Sequence, residues 1–138
     1  MATSSNIEVG QQFLPQFGPD GLISTIVQDA KTGQILMFAY MNREALERTI
    51  KTGKGTFYSR SRGKLWTKGE LSGHFQKVEQ ILVDCDQDCL LLKVTVDAGQ
   101  CHTGRQSCFY RALQQPGTDK KLKFVADRVF DPEQTYEQ

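Results

Sequence analysis

One window of this chain carries the 3.6-residue periodicity of a helix, and the remaining apolar runs read as strands. The window is 42–52. Asn42 is a helix N-cap ahead of Arg43-Glu44-Ala45-Leu46-Glu47, Ala45, Leu46, Thr49 and Ile50 fall on one face, and Gly53 supplies the stop. Runs rich in β-branched, aromatic and large apolar residues occupy 22–27, 35–40, 56–60, 64–67, 75–83 and 90–96. Turn chemistry separates them, in Asp29-Ala30-Lys31-Thr32-Gly33 and Ser61-Arg62-Gly63. This pattern predicts a β-rich α+β fold with mostly antiparallel strands, short turns and one clear helix (about 42–52). Residues 1–20 read as a polar N-terminal arm and 114–138 as a polar C-terminal extension. Within the extension, 121–130 is expected to add a strand or a short helix.

At 138 residues the chain fits a single domain, 1–138, and can bury a core without disulfides. A net charge of +1 gives no global field that would draw nucleic acid or an anionic membrane. No run approaches the ~18 apolar residues of a membrane helix, and the N-terminus has no secretory pattern. A cytoplasmic location is therefore expected. In that reducing compartment the four cysteines, all between Cys85 and Cys108, point to metal binding or catalysis rather than disulfides.

The stretch DCDQDCLLLKVTVDAGQCHTGRQSC, 84–108, concentrates the chemistry. Asp84, Asp86 and Asp88 alternate, and carboxylates at every second residue can converge on a hard divalent cation around a tight turn. An EF-hand loop is excluded, because its glycine position holds Cys89 and its final glutamate position holds Thr95. A solvated acidic hairpin tip is the plainer alternative, but apolar Val83 and 90–92 set this tip against a core. Cys85, Cys101, Cys108 and His102 are candidate ligands for a soft ion such as zinc. Cys101 and Cys108 flank Gly104, so one loop can bring both sulfurs together; the alternative is that they are small buried apolar residues. Four residues of extended strand span roughly 13 Å, so Cys85 and Cys89 meet at one ion only if the turn folds back. Cys89 is left outside the site. A vacancy in the coordination shell separates a catalytic zinc from a structural one.

Between Arg43 and Lys77 nine Lys or Arg stand against three acids, a local excess of +6. Arg60, Ser61 and Arg62, with Lys64 and Lys68, are candidates for charge-assisted bonds to phosphate. Tyr58 and Trp66 could stack on a heterocycle. A solvated basic face is the alternative.

The strings LMFAYMNREAL, FYSRSRGKLWTKGELSGHFQKV, VDCDQDCLLLKV and CHTGRQSCFYR, in this order, resemble the phosphoribosyl-AMP cyclohydrolase family over roughly residues 22–111. The resemblance implies hydrolysis of the N1–C6 bond of the adenine ring of 1-(5-phosphoribosyl)-AMP in histidine biosynthesis. It implies an intertwined homodimer that uses Zn²⁺ and Mg²⁺. By motif position Cys85, Cys101 and Cys108 match the zinc ligands, with Cys85 supplied by the partner subunit, and Asp84, Asp86 and Asp88 match the magnesium ligands. Some members carry a fused second enzyme domain, for which this chain is too short. His102 and His74 are the candidates for proton transfer. Three thiolates on Zn²⁺ leave a formal charge of −1, and Arg105, between two ligands, is the expected offset as well as a substrate-binding candidate.

Two other classes remain in view from the residues alone. A zinc-stabilised single-stranded nucleic-acid-binding module would pair a closed four-ligand zinc with the basic, aromatic segment. A thiol redox protein would need a CxxC, which the chain lacks.

Overall fold

Alternation within the apolar runs decides which strands reach the middle of the sheet. In the computed structural model, which describes residues 4–114 and 120–135, β1 (Ile23–Asp29) buries Ile23, Thr25 and Val27 while the residues between them are only half-buried. β1 turns into β2 (Ile35–Met41) as the expected hairpin, with Ile23 opposite Met41 and a register shift at Val27/Gln28. The turn closes because the Asp29 carboxylate accepts from the Lys31 and Thr32 amides at 2.8 and 3.3 Å.

α2 (Arg43–Thr52) follows directly, α1 being a short N-terminal helix, Ser4–Val9. Asn42 caps α2 by accepting from Ala45 N at 2.8 Å, and Gly53 ends it in the left-handed region, φ 72°. Ala45, Leu46 and Thr49 face the core; the Thr49 hydroxyl ties the helix to the next strand by donating to Thr56 O and accepting from Thr56 N, both at 3.0 Å. Ile50, expected on the same face, is instead 54% exposed. It borders a groove of about 520 Å³ with Ile7, Phe13, Ile81 and Val83, so the apolar stripe of α2 serves two surfaces.

β3 (Thr56–Ser59) and β4 (Lys64–Thr67) form the second hairpin, and β5 (Lys77–Val83) and β6 (Cys89–Thr95) the third. The sheet order is β4-β3-β2-β1-β6-β5. Hairpin chemistry predicts antiparallel neighbours, and this holds for every pair in the sheet but one. β1 and β6 lie parallel, Ser24 level with Cys89 and Asp29 with Val94, so the sheet is mixed. The pairing is dictated by burial: β1 and β6 are the two strands whose alternation is most complete, and side by side they fill the centre. Ile23, Val27, Leu36, Met41, Phe57, Leu90, Leu92 and Val94 are essentially inaccessible. Each such side chain contributes roughly 1.5–3 kcal/mol.

The C-terminal extension holds more structure than its polarity suggested. β7 (Arg111–Gln114) pairs with β8 (Lys121–Phe124) as a separate hairpin, so the strand alternative applies to 121–124; α3 (Pro132–Thr135) follows. The N-terminal arm is pinned to the acidic turn by Gln87, whose backbone and side-chain oxygens accept from Gln16 N and Leu14 N at 2.7 and 2.8 Å. No helix among the described residues is long and apolar enough to cross a membrane.

Candidate active site

After β6 the chain makes a tight loop in which Gln100 N donates to Gln106 O and Cys101 N to Arg105 O, both at 3.0 Å. Gly104 turns it at φ +94°, and a Cβ there would stand 2.5 Å from Phe130 O. The loop returns onto β2, where Cys108 N donates to Leu36 O at 2.7 Å and the buried Ser107 hydroxyl to Ile35 O at 2.6 Å. Cys101 is 3% exposed and its sulfur accepts from the Thr103 hydroxyl at 3.0 Å, while Cys108 stays accessible beside it.

Cys108, His102, Lys68, Trp66 and Arg62 line one cavity of about 370 Å³, with Met37 and Phe38 as its apolar wall. Trp66 is braced from behind by Phe57, ring centroids 5.0 Å apart. A neighbouring cavity of about 240 Å³ shares Lys68 and Gln100 and carries His74, whose Nδ1 lies 3.0 Å from an Asp97 carboxylate oxygen. Thus five of the residues singled out from sequence meet at one cavity and His74 sits at the next. Three of the substrate-binding candidates line neither cavity. Arg60 stacks on Tyr40 at 4.3 Å, Ser61 lies 3.4 Å from the Ser59 hydroxyl, and Arg105 lays its guanidinium on Tyr110 and Phe124 at 4.4 and 5.0 Å. Among the described residues, Arg105 Nε is buried without a hydrogen-bond partner.

Although Cys108 keeps an exposed face, desolvation of its sulfur by the surrounding protein, then the neighbouring Cys101, pushes the thiol up to about 12. Burial lowers Lys68, an effect that Cys108 and then Cys101 oppose. Two thiols side by side with a half-buried ammonium behind them form an electrostatic setting suited to a soft divalent cation, which would displace their protons. Gln100 and Gln76, which hold this arrangement from beneath, were not anticipated. A glutamine beside a cysteine gives no sequence signal, and their mutual bond of 2.8 Å, Gln76 Nε2 to Gln100 Oε1, joins residues far apart in the chain.

The three aspartates converge at the β5–β6 turn. Their oxygens lie within 4.8 Å of one another, the one group of three or more possible metal-ligating side chains among the described residues. Gln87 at φ +56° makes the turn tight, and Asp84 accepts from the Asp88 and Cys89 amides at 3.0 and 3.1 Å. Asp88 is held up to about 6 by hydrogen bonds to Asp86 and then Asp84, while Asp86 is lowered by the bond from Asp88. Such crowding suits a hard cation, which would replace the shared proton.

Cys85 is exposed on this turn, in the groove of about 520 Å³, and does not join Cys101 and Cys108. It lies past Cys89, which is level with Ser24, whereas Cys108 bonds to Leu36, level with Val27 and Gln28. The separation is roughly 10–13 Å along the strands and about 10 Å across two strand spacings. Sulfurs on one zinc ion lie within roughly 4 Å of each other. Burial, then Asp84, raises the Cys89 thiol, which sits apart from the cavity.

The profile of the phosphoribosyl-AMP cyclohydrolase family matches residues 37–110, a span that includes both cysteine positions of the loop, the three aspartates, Cys85 and both histidines. A phosphoribosyl-AMP cyclohydrolase of Methanococcoides burtonii is 52% identical over 121 residues, 88% of this chain and 94% of the relative. One from Nitrobacter hamburgensis is 49% identical over 137 residues, 98% and 93% of the two chains. One from Methanothermobacter thermautotrophicus is 48% identical over 134 residues, 97% and 96%.

Proposed function

Because the chain belongs to the phosphoribosyl-AMP cyclohydrolase family, we propose that it is an enzyme hydrolysing the N1–C6 bond of the adenine ring of 1-(5-phosphoribosyl)-AMP in histidine biosynthesis. The observation that carries this reading is the cavity where a thiol, an imidazole, an ammonium and an indole meet: Cys108, His102, Lys68 and Trp66. A cavity with an aromatic wall and a few convergent polar groups is what recognition of a heterocycle requires.

Hydrolysis adds water across N1–C6: hydroxyl to C6, proton to N1, with the bond between them broken. Trp66 and Phe38 flank the purine and limit water around it. His102, next to Cys101 in sequence and on the cavity wall, is the group for proton transfer to N1. His74, oriented by Asp97, is the second proton carrier, positioned at the adjoining cavity. Arg62 at the cavity rim, with Arg60 and Ser61 on the same hairpin, binds substrate phosphate, and Arg105 braces the ligand loop against the C-terminal hairpin.

Cys101 and Cys108 would hold a zinc ion, which supplies Lewis acidity and lowers the pKa of a bound water towards ~7. Asp84, Asp86 and Asp88 would hold magnesium, a hard counter-charge for the substrate phosphates. The third zinc ligand is Cys85 of a second copy. Its distance from the pair within one chain and its place in a groove partly walled by Ile7, Phe13, Ile50, Ile81 and Val83 support an intertwined homodimer with a shared zinc site. Clustered ligand thiols suit the reducing cytoplasm. The test is ring opening of phosphoribosyl-AMP followed by absorbance, before and after chelation. Metal-replete, folded protein without turnover refutes the proposal.

A further inference from the structure

We infer that Lys68 is the built-in counter-charge of the cysteine pair: its ammonium offsets the negative charge that the thiolates bring to a bound soft divalent cation, and it is not a phosphate clamp. The inference rests on the zinc reading of Cys101 and Cys108.

Lys68 was placed among the phosphate-gripping residues by its neighbours in sequence. Its surroundings assign it elsewhere. Nζ donates to Gln100 O at 2.6 Å. Gln100 is itself immobilised: it is 2% exposed, its amide donates to Gln106 O at 3.0 Å, its side-chain nitrogen to Ala98 O at 2.8 Å, and its side-chain oxygen accepts from the fully buried Gln76 at 2.8 Å. An ammonium fastened to such an anchor has little freedom to follow a phosphate. Gln100 also precedes Cys101, so one loop fixes both the cation and a thiol. Lys68 and Cys108 line the same cavity wall.

Charge balance points the same way. No carboxylate among the described residues forms an ion pair with Lys68. A half-buried ammonium is best placed beside an anionic neighbour, and Lys68 shares its cavity with Cys108 while its anchor Gln100 directly precedes Cys101. Three thiolates on a divalent ion total −1, and one fixed ammonium restores neutrality, which preserves the ion's Lewis acidity. The contacts of the nearby arginines are with other groups, Arg60 on Tyr40, Arg62 with the Ser59 hydroxyl and Arg105 on Tyr110 and Phe124. Lys68 is therefore a positioning residue that acts through the ligands.

The experiment compares wild type, Lys68→Met and Lys68→Arg as full chains. Zinc affinity is measured by competition with a chromophoric chelator, and kcat and KM are measured at saturating zinc. Lys68→Met should weaken zinc binding roughly 10–100-fold, the usual effect of losing an outer-shell partner. It should lower kcat while KM stays within a few-fold, and Lys68→Arg, which keeps the charge, should recover most of both. Cobalt substitution gives a further readout, because the sulfur-to-metal absorption bands of Lys68→Met should titrate in at higher cobalt. Wild-type zinc affinity in a folded Lys68→Met overturns the inference. So does a more than tenfold rise in KM with zinc affinity intact, which is the phosphate-clamp result. Equal loss in Lys68→Met and Lys68→Arg overturns it too, since shape rather than charge would then decide. If wild type itself takes up no zinc, the zinc reading fails first and the inference with it.

Discussion

Cys85→Ser and Cys108→Ser, each inactive alone, should restore one another when their chains are mixed. Within one chain Cys85 lies past the Cys89 end of β6, and Cys108 is bonded to Leu36 near the far end of β1. Combining about 10–13 Å along the strands with about 10 Å across them gives a gap of roughly 15 Å, several times the ~4 Å allowed between sulfurs on one zinc. A symmetric dimer closes the gap twice, once at each end of its two-fold relation. In a mixed dimer one site takes Cys101 and Cys108 from the Cys85→Ser chain and Cys85 from the other, and is intact. The opposite site lacks both residues. Random reassortment makes about half the dimers mixed, so about 25% of wild-type sites should return. The two variants would be unfolded together, refolded with zinc, and assayed for turnover and bound zinc, with distinct tags used to count mixed dimers. Mixed dimers without activity would refute a shared site, and so would a Cys85→Ser protein that keeps zinc and turnover on its own.

The thiols should also separate by position: Cys101→Ser loses zinc and activity together, whereas Cys89→Ser keeps both, as read by metal analysis beside the rate assay. Leu92→Ala removes a fully buried side chain from the central strand and should cost about 2–5 kcal/mol in denaturant unfolding without changing the metal content of the folded fraction. At the acidic turn, Asp88 titrates near 6 rather than 3.8, so the metal-free native chain holds a proton there that the unfolded chain has already released. Its contribution to stability therefore falls as pH rises from 3.8 to about 6. Magnesium must displace that proton, so its affinity, measured calorimetrically, should decline as pH drops through about 6.

What was legible in the sequence is what neighbours along the chain decide. Asn42 and Gly53 bracket α2 by local capping, and the Asp29–Gly33 turn sets the β1–β2 register. The parallel meeting of β1 and β6 has no local signature, because nothing in either strand names its partner. β7 escaped notice because it is exposed at every position, which leaves no apolar alternation to read. In the site, Cys101 and Cys108 announced themselves as soft donors around Gly104, and the aspartates by their spacing. Lys68 was legible only as one cation of a basic segment, because its bond to Gln100 O joins positions 32 residues apart. Gln100 is in turn held by Gln76, from another distant segment.

The lone parallel contact also governs how this chain reaches its native state. Ser24 must find Cys89, 65 residues later, before the centre of the sheet exists. Closing so long a loop is entropically slow, and non-local pairing of this kind delays folding relative to hairpin formation. As the chain leaves the ribosome, β1 and β2 can pair early, but the other edge of β1 stays open until β6 has been synthesised. Its sequence, Ile23-Ser24-Thr25-Ile26-Val27, is a ready template for pairing with a stranger in that interval. Aggregation during synthesis should therefore respond to changes on this strand more sharply than the stability of the finished protein does.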